Sequence, residues 1–205
     1  MADKKTPAQP TTMTDVPGER LSQGRSMRAD GRRNRERVVE VAFDTFASEG
    51  LSVSVHEIAR RAGVGTGTVS RHFPTKELLF EAVFMSRVER LDGIGQALLA
   101  SSEPGEAFFA YFAGIVTEGT ANKGLAEALA GAGYDLGTAS SHGRHDIMGV
   151  MGQLLARAQK AGAVRGDVEA DDVKAIITGC VARDAGAQDR MISLARTGLE
   201  ATHSR

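Results

Sequence analysis

The sequence predicts an all-α chain in which a small basic helical module precedes a larger acidic helical body. Three observations predict it. From Arg32 onward apolar residues recur at the three- and four-residue spacing of helices, no stretch shows the strict alternation of a half-buried strand, and glycine and proline clusters divide the chain into helix-sized lengths. At 205 residues the chain can bury a stable core as one domain or two.

The charge is uneven, although the formal net is only −1. Residues 1–24 carry 3 basic and 3 acidic side chains, residues 25–76 carry 10 and 6, and residues 77–205 carry 12 and 17. A basic N-terminal segment on an acidic body sends one end of the molecule to an anionic polymer. The single cysteine, Cys180, excludes an intrachain disulfide and a multi-cysteine metal site, suits a reducing compartment and reads as a buried apolar thiol. No run of 18 apolar residues is present and the first twenty residues lack the apolar core of a signal peptide, so a cytoplasmic protein with no membrane segment is expected.

Taken in order, residues 1–28 mix Pro, Thr, Lys, Asp and Gln without apolar periodicity and are expected to form a flexible arm. Arg25, Arg28, Arg32, Arg33 and Arg35 lead out of it, a composition suited either to DNA phosphates or to a solvated arm. Residues 29–76 should then form a three-helix module. Val39, Ala42, Phe43 and Phe46 make one apolar face of its first helix, which Gly50 ends. Ser54 and Glu57 have the spacing of a capping box, and Val55, Ile58, Ala59 and Ala62 form the buried face of a short second helix stopped by Gly63. A third helix spans Thr66 to His72 and must end by Phe73, because Pro74 disfavours helical geometry in the residue before it. Thr75 can cap the long helix that follows.

Two short helices joined by about three residues, with Val64 and Val69 plugging the elbow, fit a helix-turn-helix. The glycines of GVGTGTVSRHF, Gly63 to Phe73, do not make a nucleotide loop. A dinucleotide fingerprint begun at Gly63 would need glycine or alanine where Thr68 stands and a strand where a helix precedes it, and a phosphate-binding P-loop would need Gly-Lys at 68 and 69.

The run SVHEIARRAGVGTGTVSRHFPTKELLFEAV, Ser54 to Val83, resembles without gaps the second, third and start of the fourth helices of the TetR-like (tetracycline-repressor-like) bacterial transcription regulators, and Arg33 to Gly50 looks like their first. That resemblance implies a homodimer, a helix-turn-helix on each subunit that binds double-stranded operator DNA, and a C-terminal helical domain that binds a small-molecule effector and dimerises. Carried over by position, it implies DNA contacts from Ser54, Thr66, Gly67, Thr68, Ser70, Arg71 and His72, with Lys76 at a phosphate. Arg71 can grip guanine with two hydrogen bonds, whereas Thr and Ser hydroxyls reach base edges or phosphates. Ser70 stands where the family often has tyrosine, so no target sequence carries over. His72 has a bland alternative, packing beside Phe73 at the helix end, and Lys76 could be a solvated first-turn lysine.

Residues 77–205 should form the ligand-binding and dimerisation domain. Breaks at Pro104-Gly105, Gly119 to Gly124, Gly131 to Gly143 and Gly162 to Gly166 leave five or six helices, for nine or ten in all. The segment EAFFAYFAGIV concentrates Phe108, Phe109, Tyr111 and Phe112. Met148 and Met151 mark a helix expected from about His142 to Ala161, with Ile147, Leu154, Leu155 and Ala158 on its apolar face. Phe108, Phe109, Phe112, Tyr134, Met148 and Met151 are the candidate effector-pocket residues, the plain alternative being core. His142, His145 and Asp146 share a helix face, yet no further ligand clusters with them, so neither a metal nor any other cofactor is expected. Val173, Ile176, Ile177, Cys180 and Val181 form one late stripe and Met191, Leu194, Ala195 and Leu199 another, suited to a four-helix dimer interface or to packing within one subunit. Small residues Ala175, Gly179, Ala182 and Gly186 would permit close approach.

The functional expectation is a sequence-specific repressor, released from a pseudo-palindromic operator when a small apolar or amphipathic ligand shifts the dimer population. The alternative is a helix-turn-helix regulator whose body docks a protein partner. An enzyme is not expected, since no Ser-His-acid or paired-carboxylate constellation stands out.

Overall fold

In the computed structural model, which describes residues 17–134, 145–183 and 185–201, the periodic segments are helices throughout. They are α1 (Pro17–Glu49), α2 (Val55–Ala62), α3 (Thr66–His72), α4 (Lys76–Leu99), α5 (Pro104–Ala121), α6 (Lys123–Gly131), α7 (Ile147–Lys160), α8 (Ala170–Val181) and α9 (Gln188–Leu199). The described residues thus hold nine helices, where nine or ten were expected for the whole chain. Among the described residues the only extended pairing is an isolated antiparallel bridge between Val164 and Glu200, which ties the end of α9 to the turn after α7. No helix among them is long and apolar enough to cross a membrane.

Two helix starts differ from expectation. Helix α1 begins at Pro17, so its first twelve residues lie inside the stretch expected to be a flexible arm. Composition weighs the cost of ordering a segment alone, whereas a helix already nucleated further along extends by one hydrogen bond per residue fixed. Proline at the first helical position suits that start, its fixed φ matching the helix and its missing N–H costing nothing there. Helix α7 begins at Ile147 rather than near His142, because the Asp146 side chain accepts a 2.8 Å hydrogen bond from the Gly149 N–H and caps the helix there. His142 lies outside the described residues.

Apolar side chains gather in two cores. The first holds Val38, Val39, Ala42 and Phe46 of α1, Ile58, Ala59 and Ala62 of α2, Val69, Phe73, and Leu79, Phe80 and Val83 of α4. Phe46 and Phe80 meet edge to face with centroids 5.0 Å apart, a geometry worth about 0.5–1.5 kcal/mol beyond the area it buries. Leu125 and Leu129 of α6 join this core too, so a helix assigned by sequence to the body packs on the N-terminal module. The second core is built from Val88 and Leu91 of α4 with α5, α7, α8 and the end of α9. Helix α4 therefore runs through both cores without a break.

Long side chains fasten the ends. Arg157 of α7 donates to the carbonyls of Leu99 and Ser101, the latter at 2.7 Å, and so satisfies acceptors that the last turn of α4 leaves open. Arg196 of α9 pairs with Glu106 of α5 and with Glu200 while lying 4.7 Å from the Phe109 ring centroid. Cys180 is buried in the second core, and that burial pushes its thiol pKa up.

Candidate nucleic-acid interface

Helix α2 starts at Ser54, whose extended backbone (φ −76°, ψ 149°) turns its hydroxyl to accept from the Glu57 N–H at 3.2 Å. Only half of the capping box forms. The Glu57 carboxylate does not reach back to Ser54; it accepts from Arg60 Nε at 2.8 Å and Arg61 Nε at 2.7 Å, and Arg61 also pairs with Glu49 of α1. Two guanidiniums within reach offer a carboxylate more than one backbone N–H does. They hold the Glu57 pKa at about 2, the Arg60 hydrogen bonds contributing most and the Arg61 bond next. A separate bond, from the other end of the Arg61 guanidinium to Glu49, holds the Glu49 pKa below its ordinary value.

The turn depends on one glycine. Gly63 takes left-handed geometry (φ 66°, ψ 31°), and its N–H and that of Val64 return to the carbonyls of Arg60 and Ala59 at 3.2 and 3.1 Å. A residue with a Cβ would be strained there by roughly 1–2 kcal/mol. Gly65 then supplies the carbonyl that accepts from Thr68 at 2.9 Å and Val69 at 3.2 Å, starting α3. Val69 is fully buried, Val64 is half-buried beside it, and Phe73 closes the end of the helix as core. With Val69 fixed inward, the helical period turns Thr66, Gly67, Ser70, Arg71 and His72 outward, and all five are exposed while Thr68 is half-buried.

Of the expected DNA-facing residues, Ser54, Thr66, Gly67, Ser70, Arg71 and His72 are exposed, whereas Thr68 and Lys76 are half-buried. Ser54 is exposed at the start of α2, with its hydroxyl already engaged as a cap. Thr66 Oγ1 lies 3.3 Å from His56 Nδ1, a bond that crosses from α3 to α2 and that spacing alone did not reveal. His72 is exposed and also sits beside Phe73, with ring centroids 6.2 Å apart. Lys76 is half-buried with its Nζ 5.6 Å from the Phe80 ring centroid, its stem on the core and its charge at the first turn of α4.

Pairing sorts the basic residues of the module. Arg32 pairs with Glu36, Arg33 with Asp30, and Arg60 and Arg61 with Glu57, so their charge is partly met within the chain. Arg35, Arg37 and Arg71 have no ion pair or side-chain hydrogen bond among the described residues, and of these Arg71 stands exposed on the outer face of α3. An unpaired, exposed guanidinium is free to make a two-pronged contact with a base edge or a phosphate.

Among the described residues the candidate effector side chains are packed into or against the two cores. Phe108, Phe112 and Met151 are fully enclosed, Phe109 nearly so, and Met148 packs against the same second core. Tyr134 packs instead against the first core, away from the other five. Helical spacing marks a side chain as inward-facing but does not distinguish a filled interior from a cavity wall. His145 Nδ1 lies 2.9 Å from Asp92 Oδ2 of α4, and no group of three residues able to hold a metal forms among the described residues.

Comparison with known proteins matches both parts of the chain. Residues 38–83 match the family model described as bacterial regulatory proteins, tetR family, and residues 103–201 match the model of the transcriptional regulator SbtR-like C-terminal domain. The crystal structure of a TetR transcription regulatory protein from Mycobacterium vanbaalenii is 45% identical, with a TM-score of 0.71 over 85% of this chain and 99% of that one. A TetR transcriptional regulator from Streptomyces coelicolor is 32% identical, with a TM-score of 0.69 over 82% of this chain and 99% of that one. An HTH-type transcriptional regulator of Staphylococcus aureus is 43% identical over 51 residues, which span 24% of this chain and 28% of that protein.

Proposed function

The chain belongs to the TetR family of bacterial transcriptional regulators, and on that premise we propose that it is a homodimeric repressor that leaves a pseudo-palindromic operator when its helical body takes up a small ligand. The observation that carries the DNA side is the outer face of α3, where Thr66, Gly67, Ser70, Arg71 and His72 stand exposed around a fully buried Val69. Gly67 has no atom within 4 Å of where a Cβ would be, so its backbone is open to close approach by a phosphate or base. Arg71 reads a base pair, Lys76 holds a phosphate, and Ser54, Thr66, Thr68, Ser70 and His72 complete the contact surface.

The dimer forms through α8 and α9. Their inner stripe, Val173, Ile177, Cys180 and Leu199, is spent on the subunit's own core. Their outer side is a groove of about 700 Å³ lined by Ala175, Ile176, Gly179, Met191, Leu194 and Ala195, among other residues, and Leu194 is 61% exposed. Two copies set face to face cover that apolar surface as a four-helix bundle, and small side chains let the helices approach. Two recognition helices related by the dyad then enter major grooves about 34 Å apart.

Selection of bound duplexes from a random pool tests this reading. A pseudo-palindromic consensus is expected, and recovery of unrelated sequences with no preferred half-site refutes it.

A further inference from the structure

We propose that the effector seat is the apolar cavity of about 310 Å³ between α4, α5, α6 and the end of α8, and that it takes a small amphiphile whose carboxylate is gripped by Arg87. This rests on the reading that the helical body answers a small molecule. Val88, Leu91, Ile115, Ala126 and Val181 supply the apolar wall, and the volume sits at the small end of ligand pockets, which run from roughly 300 to 1,000 Å³.

Arg87 is the unusual member of that wall, because its side chain is only 6% exposed. A guanidinium keeps its charge at any physiological pH, and a buried cation is costly unless a counter-charge and hydrogen bonds answer it. Its partners answer it poorly. One hydrogen bond, Nη2 to Glu40 Oε1 at 3.2 Å, is made among the described residues, and Glu40 is itself 63% exposed to water. The Phe43 ring covers the guanidinium with its centroid 3.4 Å from Cζ, while Nε is buried with no hydrogen-bond partner. Arg87 lines the cavity, and a carboxylate matches a guanidinium because its two oxygens pair with the fork of N–H groups.

Two of the other three charges lining the cavity are already engaged, and the third, Glu127, is open to water. Glu118 is held by Arg90 at 3.8 Å and by Asn122 Nδ2 at 3.2 Å, Lys123 Nζ donates to the Ala182 carbonyl at 3.3 Å, and Glu127 is exposed. Arg87 is the one buried cation of that lining, and its charge favours an anion over a cation there.

The same side chain gives binding a consequence. Arg87 belongs to α4, and both Glu40 and Phe43 belong to α1, so it is a polar tie between the helix that spans the molecule and the first helix of the DNA-binding module. A carboxylate that draws Arg87 toward the cavity weakens that tie, and operator affinity falls by the difference in ligand affinity between the two arrangements.

The test uses the full-length protein with octanoate, 1-octanol and octylammonium as probes, binding being followed by calorimetry and operator affinity by fluorescence anisotropy. Octanoate is expected to bind about tenfold or more tighter than octanol, octylammonium least, and only octanoate to release operator. Arg87→Met, which keeps an apolar stem, should erase the preference between octanoate and octanol, and Ala126→Phe should abolish binding of both by filling the cavity. Equal binding of the three probes by the native protein, no binding, or a preference that survives Arg87→Met overturns the proposal. The comparison among probes stands on the native protein even if a variant fails to fold. Ligand-free native protein that binds operator while octanoate fails refutes only this seat; ligand-free native protein that binds no operator refutes the broader reading.

Discussion

Gly93 and Gly95 lie two residues apart on α4, and replacing each with alanine should move stability in opposite directions. Gly93 is exposed and has nothing within 4 Å of a Cβ, so Gly93→Ala gains only the helix propensity of alanine, about 0.5–1 kcal/mol. At Gly95 the Cβ would stand 2.6 Å from Val150 Cγ1 and 2.8 Å from Tyr111 Cε2 and Cζ, all far inside contact distance. Tyr111 is 0% and Val150 2% exposed, so neither has room to retreat. Overpacking of this kind costs about 1–3 kcal/mol, and the upper end applies because a rigid ring and a branched side chain are both hit. After the propensity gain is subtracted, Gly95→Ala should lose about 1–2 kcal/mol. The two variants should therefore differ by about 2–3 kcal/mol, or roughly 5–10 °C in Tm for a chain of this size. Urea and thermal melts at one fixed protein concentration measure it, since dimerisation makes apparent stability depend on concentration. Equal shifts, or a Gly95→Ala protein more stable than the native one, would refute the close crossing of α4 with α5 and α7.

Three further outcomes are expected. Arg71→Ala should cost about 1–3 kcal/mol on the selected operator and relax preference at one base pair, whereas Lys76→Ala should weaken operator and random duplex alike; equal losses from both variants on both DNAs would contradict the division of roles. Glu57 has its pKa lowered from 4.5 to about 2, so the folded state binds fewer protons than the unfolded one between those values. The stability it contributes is complete above pH 4.5 and is lost as pH falls toward 2, and Glu57→Gln should flatten the fall in unfolding midpoint between pH 5 and pH 3. Leu194→Glu places a charge on the exposed face of α9 and should shift the protein to monomer in light scattering without lowering its helical circular dichroism; an unchanged dimer would locate the interface elsewhere.

Much of the module was legible because its signals are short-range. The caps at Ser54 and Thr75, the left-handed Gly63, the proline limit after α3 and the inward stripe of α2 each act within about four residues, and the bounds of α2 and α3 follow from them. Where local signals compete, sequence alone misassigned the winner. Glu57 had a backbone N–H and two arginines in reach and took the arginines, one of which is itself held by Glu49 from another helix.

By itself, then, the sequence determined an all-helical chain and the helix-turn-helix with Val69 inward and Arg71 outward, because periodicity, capping and backbone preference are properties of neighbouring residues, while the family came from the resemblance of the runs Arg33 to Gly50 and Ser54 to Val83. Only the tertiary structure decided that Phe108, Phe112 and Met151 fill a core, that α6 packs on the N-terminal module, and that Arg87 reaches across to Phe43 and Glu40 beside a cavity. The physical reason is that an apolar stripe records which side of a helix is buried, whereas the partner it meets, and whether any space is left between them, is set by how whole helices cross.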